Sequence, residues 1–70
     1  MSTDLKRRVG ETAADLVSSG MTLGLGTGST AYWFVQGVGE RLRDGRLKDV
    51  MGVPTSRATE AQCRELAIPM

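Results

Sequence analysis

The residues with the clearest chemical potential form the run Gly24-Leu25-Gly26-Thr27-Gly28-Ser29-Thr30. A short apolar stretch, Met21 to Leu25, precedes the run, and a helical pattern opens near Thr30 or Ala31. Strand, glycine-rich turn and helix N-terminus in that order make a socket for an anion. Glycine has no Cβ, so the backbone can turn sharply and lie close to a ligand. The first amides of a helix have no intrahelical acceptor and stand at the positive end of its dipole. Ser29 and Thr30 add two hydroxyl donors beside those amides. The chemistry this set can perform is phosphate binding. On these residues alone a second reading stays open, in which the glycines serve only a tight strand-to-helix turn.

Three glycine-loop chemistries compete for the run. Gly26-Thr27-Gly28-Ser29-Thr30-Ala31 fits the dinucleotide pattern G-x-G-x-x-G/A. That pattern also wants an acidic residue near the end of the second strand to hold the ribose hydroxyls. Here that position reads Val53-Pro54-Thr55-Ser56, with Asp49 before the strand, which weakens nicotinamide binding. The nucleotide P-loop needs a lysine directly after its last glycine. Gly28 is followed by Ser29, so that reading fails. What survives is a compact phosphate cradle with hydroxyl donors, suited to a phosphorylated metabolite.

The elements that must position this cradle alternate along the chain. Leu5, Val9, Ala13, Leu16 and Val17 recur at helical spacing and predict an amphipathic helix over about residues 4–18, with Thr3 as its N-cap and Gly20 as its stop. Strand one covers Met21 to Leu25. Helix two runs from about Thr30 to Arg43 with Ala31, Phe34, Val35, Val38 and Leu42 on one face; Gly37 and Gly39 weaken it, each costing ~1 kcal/mol against alanine. Asp44-Gly45 marks a turn. Val50 to Val53 is the second strand, ended by Pro54, and helix three follows over Ala58 to Leu66. Ile68-Pro69-Met70 reads as the onset of a third strand. The fold class is therefore α/β, Rossmann-like βαβ units with parallel strands and right-handed crossovers. In such sheets ligands gather beyond the carboxyl ends of the strands, where the glycine loop and Pro54-Thr55-Ser56 both fall.

Size and charge narrow the classes. At 70 residues a chain buries only roughly 60% of its unfolded surface. Two strands and a stub also leave sheet edges unpaired. The chain reads as the incomplete N-terminal part, residues 1–70, of a larger three-layer domain. Nine Lys and Arg against eight Asp and Glu leave a net charge of +1, so no broad field for nucleic acid or an acidic membrane is expected. One cysteine, Cys63, cannot form an internal disulfide and fits a reducing, cytoplasmic setting. Residues 2–19 hold Asp4, Glu11 and Asp15 with no long apolar run, so no signal peptide is expected, and no stretch approaches the ~18 apolar residues of a membrane span.

Leu5-Lys6-Arg7-Arg8-Val9-Gly10 followed by Gly24-Leu25-Gly26-Thr27-Gly28-Ser29-Thr30-Ala31 closely resembles the start of the ribose-5-phosphate isomerase A family. Gly52-Val53-Pro54-Thr55-Ser56, Thr59-Glu60 and Leu66-Ala67-Ile68-Pro69 continue the resemblance in order and spacing, over nearly all 70 residues. The resemblance implies a Rossmann-like fold and a metal-free, cofactor-free interconversion of ribose 5-phosphate and ribulose 5-phosphate. It places Thr27, Gly28, Ser29 and Thr30 in the substrate-binding loop and Lys6 near the phosphate. The family's catalytic carboxylates lie in segments beyond residue 70, so no catalytic residue is assigned here, and the isolated segment is expected to be inactive. The partner implied is a small sugar phosphate, and a homo-oligomer is expected at full length. The alternative from another class is a sugar-phosphate-sensing domain of a transcription regulator, whose fold and loop look similar.

Other residues take plainer roles. Lys6-Arg7-Arg8 reads as a solvated helix face, with Lys6 singled out only by the resemblance. Phe34 is expected in the core, and Trp33 against a neighbouring surface such as another subunit or further sheet. Cys63 reads as buried filler rather than a nucleophile. Glu60 lies closest of the acids to the strand ends, as a first-turn helix charge. Ala67 stands where the family often has glycine, so the end of helix three must avoid or tolerate a left-handed residue.

Overall fold

A computed structural model of the chain describes residues 3–70. Helix α1 (Thr3–Asp15) is followed by strand β1 (Thr22–Leu25), helix α2 (Ser29–Arg43), strand β2 (Met51–Pro54) and helix α3 (Arg57–Glu65). The strands pair in parallel, Thr22 opposite Met51 through Leu25 opposite Pro54, with α2 as the crossover between them. The expected α/β class and element order are therefore present. Pro54 is the last residue of β2 rather than the residue after it, because the ladder bond at that end comes from the Thr55 amide to the Leu25 carbonyl (3.2 Å) and asks nothing of the proline nitrogen.

The third strand is not formed among the described residues, yet its path is marked. The Gly52 amide points away from β1 and donates to the Pro69 carbonyl at 2.7 Å, so residues 68–70 lie along the free edge of β2. On one face of the sheet Leu25 and Val50 join Ala14, Val35, Val38, Leu47, Cys63 and Ile68 in the core, with Phe34, Leu42, Leu66 and Val17 packed against it. The other face carries exposed Met51 and Val53.

Two turns set the spacing of the elements. At Asp44-Gly45 the Asp44 carboxylate accepts from the Arg46 amide at 3.0 Å, and Gly45 takes φ +86°, as the expected turn requires. The bond from the Arg46 amide, followed by its guanidinium, holds the Asp44 carboxyl below its usual range. Gly20 does adopt a positive φ (+87°), but five residues beyond the end of α1, where its amide bonds the Lys48 carbonyl.

The helix α1 departs from its sequence pattern. It ends at Asp15 instead of residue 18, and Thr3 is its first residue rather than its cap, the capping position being residue 2, outside the described residues. The expected apolar stripe is not the buried one: Leu16 is 78% exposed and Leu5 and Val9 are each 47% exposed. Gly10 and Ala14 are buried instead, one position or about 100° round the helix. A Cβ on Gly10 would come within 2.6 Å of the Trp33 Cβ and 2.7 Å of the Phe34 amide nitrogen, and one on Gly37 within 2.9 Å of the Ala14 Cβ. Small residues on both helices let the backbones approach, and this close seam outweighs the apolar stripe. Gly37 and Gly39 therefore do not weaken α2 as packed: they are its contact points, Gly39 against Leu66. Arg41 clamps the seam, donating to the Gly37 carbonyl at 2.8 Å, reaching the Glu11 carbonyl at 3.5 Å and pairing with Asp15.

Candidate functional site

The carboxyl ends of both strands open onto helix N-termini, and the two ends are finished differently. At α3 the Ser56 hydroxyl accepts from the Thr59 amide at 3.2 Å and closes the helix. At α2 the capping position is Gly28, with φ 103° and ψ 172°, a conformation that side-chain-bearing residues rarely adopt, and it has no side chain to offer. The first bond of α2 runs from the Tyr32 amide to the Gly28 carbonyl at 2.9 Å. The amides of Ser29, Thr30 and Ala31 are thus left without an intrahelical acceptor. One N-terminus is closed by its own serine, and the other has no side-chain cap.

Each residue expected at the site can be placed. Thr27, Gly28 and Ser29 are exposed in the loop and the first turn of α2, and Thr30 is half-buried in that turn. Lys6 lies half-buried on α1 with no ion-pair partner among the described residues. Contacts advance along α1 and α2 in the same sense, Gly10 facing Thr30 and Trp33, then Ala14 facing Gly37, then Asp15 paired with Arg41. The two helices therefore run parallel, and Lys6, one turn before Gly10, lies level with the loop that precedes α2. Loop and lysine share one end of the helix pair, although no direct contact joins them.

The loop is braced from β2 and α3 in a way that sequence reasoning did not foresee. The Leu25 carbonyl accepts from both the amide and the hydroxyl of Thr55, at 3.2 and 2.7 Å. The Gly26 carbonyl accepts from the Thr59 hydroxyl at 3.2 Å. A signal was present: threonine is an indifferent helix former, and its position three after a serine cap gives it a hydroxyl in the first turn.

A cleft of ≈ 340 Å³ runs from the loop between α2 and α3, lined among others by Thr27, Gly28, Tyr32, Gln36, Gln62 and Glu65. The Gln62 amide group donates to the Tyr32 carbonyl at 2.9 Å and ties the two helices together along it. Glu60, expected as the acid closest to the strand ends, pairs with Arg64 one turn along α3. The carboxylate that lines the cleft is Glu65, about 13 Å of helix rise beyond Ser56. Trp33 is half-buried against α1 of its own chain: the Arg7 guanidinium lies 5.3 Å from its ring and Tyr32 meets it edge-on at 5.2 Å. Cys63 is fully buried, and burial pushes its thiol up, as a filler role requires. No cluster of three or more His, Cys, Asp or Glu side chains able to hold a metal occurs among the described residues.

No family model matches the chain. Individual relatives do: ribose-5-phosphate isomerase A of Caulobacter vibrioides is 56% identical over an alignment of 71 positions that takes in the whole of this chain and 30% of that protein. The enzyme of the same name from Roseiflexus castenholzii is 55% identical over 65 residues, 93% of this chain and 28% of the relative. Along its whole length the chain is similar to proteins named ribose-5-phosphate isomerase A. It spans about 30% of the length of these isomerases. Solved isomerases carry the same fold: the ribose 5-phosphate isomerase of Plasmodium falciparum superposes with TM-score 0.93 at 45% identity over 97% of this chain and 29% of that one. A D-ribose-5-phosphate isomerase in complex with phospho-erythronic acid superposes with TM-score 0.87 at 34% identity, over 99% of this chain and 31% of the other.

Proposed function

We propose that this segment supplies the phosphate cradle of an enzyme interconverting ribose 5-phosphate and ribulose 5-phosphate. The observation that carries the reading is the open N-terminus of α2, where Gly28 leaves three amides and the flanking Ser29 and Thr30 hydroxyls without a cap. A phosphate dianion accepts several charge-assisted hydrogen bonds at once, and the Lys6 ammonium adds opposite charge at the same end of the helix pair. Support comes also from the names of the relatives and from the isomerase solved with a phosphorylated sugar acid. The sensing-domain alternative gains nothing from these relatives.

Holding the phosphate fixes the sugar carbons for proton transfer, so binding far from the reacting bond serves the chemistry. The transfer between C1 and C2 asks for a carboxylate base, and by the resemblance the family's catalytic carboxylates match none of residues 1–70. The isolated 70-residue segment is accordingly expected to bind at most, without turnover above background. A cytoplasmic enzyme of the pentose phosphate pathway fits this chemistry, and sedimentation of the intact protein tests the expected homo-oligomer.

The deciding experiment is calorimetric titration of the intact protein with ribose 5-phosphate, wild type against Ser29→Ala/Thr30→Ala. Charge-assisted bonds of about 1.5 kcal/mol each predict affinity lowered at least tenfold. Unchanged affinity in a folded protein would remove the cradle, and no binding by the wild type would remove the reading.

A further inference from the structure

Thr59 is the buried polar residue of the described chain, 6% exposed in the first turn of α3. A helical threonine commonly turns its hydroxyl back to its own helix. This one reaches out of the helix to the Gly26 carbonyl, 33 residues earlier, at 3.2 Å, while accepting from the Ser56 hydroxyl at 3.0 Å. The bond falls on one peptide plane, that between Gly26 and Thr27. In a trans peptide the C=O and the N–H point in opposite directions. Holding the Gly26 oxygen on α3 therefore turns the Thr27 amide away from α3. Without that bond the plane loses the side-chain anchor on its carbonyl, and Gly26, lacking a Cβ, does least to hold its own side of the plane. A flipped plane would replace a donor with a carbonyl oxygen beside the helix N-terminus.

We propose that Thr59 is a positioning residue of the phosphate loop, its hydroxyl holding the Gly26–Thr27 peptide in the donor-out orientation that anion binding needs. The assignment rests on the reading of the loop as a phosphate cradle. Thr55 holds the preceding peptide by two bonds to Leu25, so among the described residues one plane is anchored twice and the next by Thr59. The phosphate is not the reacting group, so its loss is felt in the ground state and the transition state alike, which raises KM more than it lowers kcat.

The test compares Thr59→Val, Thr59→Ser and Cys63→Ala in the intact protein, by kinetics with ribose 5-phosphate and by amide exchange of residues 26–30. Thr59→Val keeps the shape and drops the hydroxyl; KM is expected to rise about three- to tenfold with kcat within about twofold, the net worth of one hydrogen bond. Loop exchange should accelerate by a similar factor. Thr59→Ser should restore both readouts. Cys63→Ala, a core truncation on the same helix, should lower thermal stability and move neither. Wild-type KM and loop exchange in Thr59→Val overturn the proposal, as does a raised KM in Thr59→Ser or Cys63→Ala. Faster loop exchange in Thr59→Val, with no binding of ribose 5-phosphate by the wild type, would sustain the brace and sink the cradle.

Discussion

Replacing Ala67 by glycine is expected to stabilise the protein, and the size of the gain follows from how α3 ends. Leu66 is the C-cap, the Ala67 amide bonds the Arg64 carbonyl at 3.2 Å, and the Ile68 amide bonds the Cys63 carbonyl at 2.8 Å. That pair of bonds is a Schellman motif, with Ala67 in the position that takes the left-handed conformation and buried Ile68 and Cys63 supplying its apolar contact. Ala67 complies, at φ +57°. The left-handed region costs a residue with a Cβ roughly 1–2 kcal/mol. Glycine removes that strain but loses about 0.4–1 kcal/mol through the greater freedom of the unfolded chain. Ala67 is exposed, so its methyl sacrifices little burial. The balance is a gain of about 0.5–1 kcal/mol for Ala67→Gly, whereas Ala67→Val, β-branched at the same φ, should lose about 1 kcal/mol or more. Urea unfolding of the intact protein, read as a midpoint shift at constant slope, measures both. Gly45→Ala is the mirror experiment: φ is +86° and nothing lies within 4 Å of the added Cβ, so only the torsional cost remains. A midpoint for Ala67→Gly at or below wild type, with Gly45→Ala also silent, would refute the reasoning from backbone strain.

Gly10→Ala should destabilise by about 1–3 kcal/mol, because its Cβ would stand 2.6–2.9 Å from the Trp33 Cβ and the α2 backbone and the helices must separate; a wild-type urea midpoint would show the seam to be looser than described. Arg41→Lys should lose about 1–3 kcal/mol despite keeping its charge, since the 12%-exposed guanidinium serves Gly37, Glu11 and Asp15 with a planar fork that an ammonium lacks; equal stability of the two proteins in urea would count against the clamp. The Cys63 thiol is pushed up by burial, so at pH 8 less of it is thiolate than in the unfolded chain, and a disulfide reagent should label native protein far more slowly than urea-unfolded protein. Labelling within the mixing time would place Cys63 at the surface.

Much of the fold could be read along the chain because its determinants are local. Met21–Leu25, the glycines that follow and the periodicity of residues 30–43 each sit in one contiguous window, so β1, the turn and α2 appear where expected to within one residue. Asp44-Gly45 carries its turn chemistry in its own side chain and its own φ. The face of α1 could not be read this way. Its apolar stripe through Leu5, Val9 and Leu16 is a true pattern, but burial went to Gly10 and Ala14 because they meet Trp33 and Gly37, each twenty-three residues further along the chain on another helix. Close packing is a property of two surfaces, and each sequence window holds only one.

The candidate site divides along the same line. Sequence by itself determined the order of strand, glycine-rich turn, helix start and two hydroxyls on which the proposed anion socket rests, because these are consecutive residues. Tertiary structure alone decided that α2 is open while Ser56 closes α3, that Lys6 is level with the loop, and that Glu65 rather than Glu60 lines the cleft. It also decided that Thr59 grips Gly26. The reason is physical: a hydrogen bond depends on position within a few tenths of an ångström and on direction, and across 33 residues both are set by how β1, β2 and α3 pack, not by any residue's own preference.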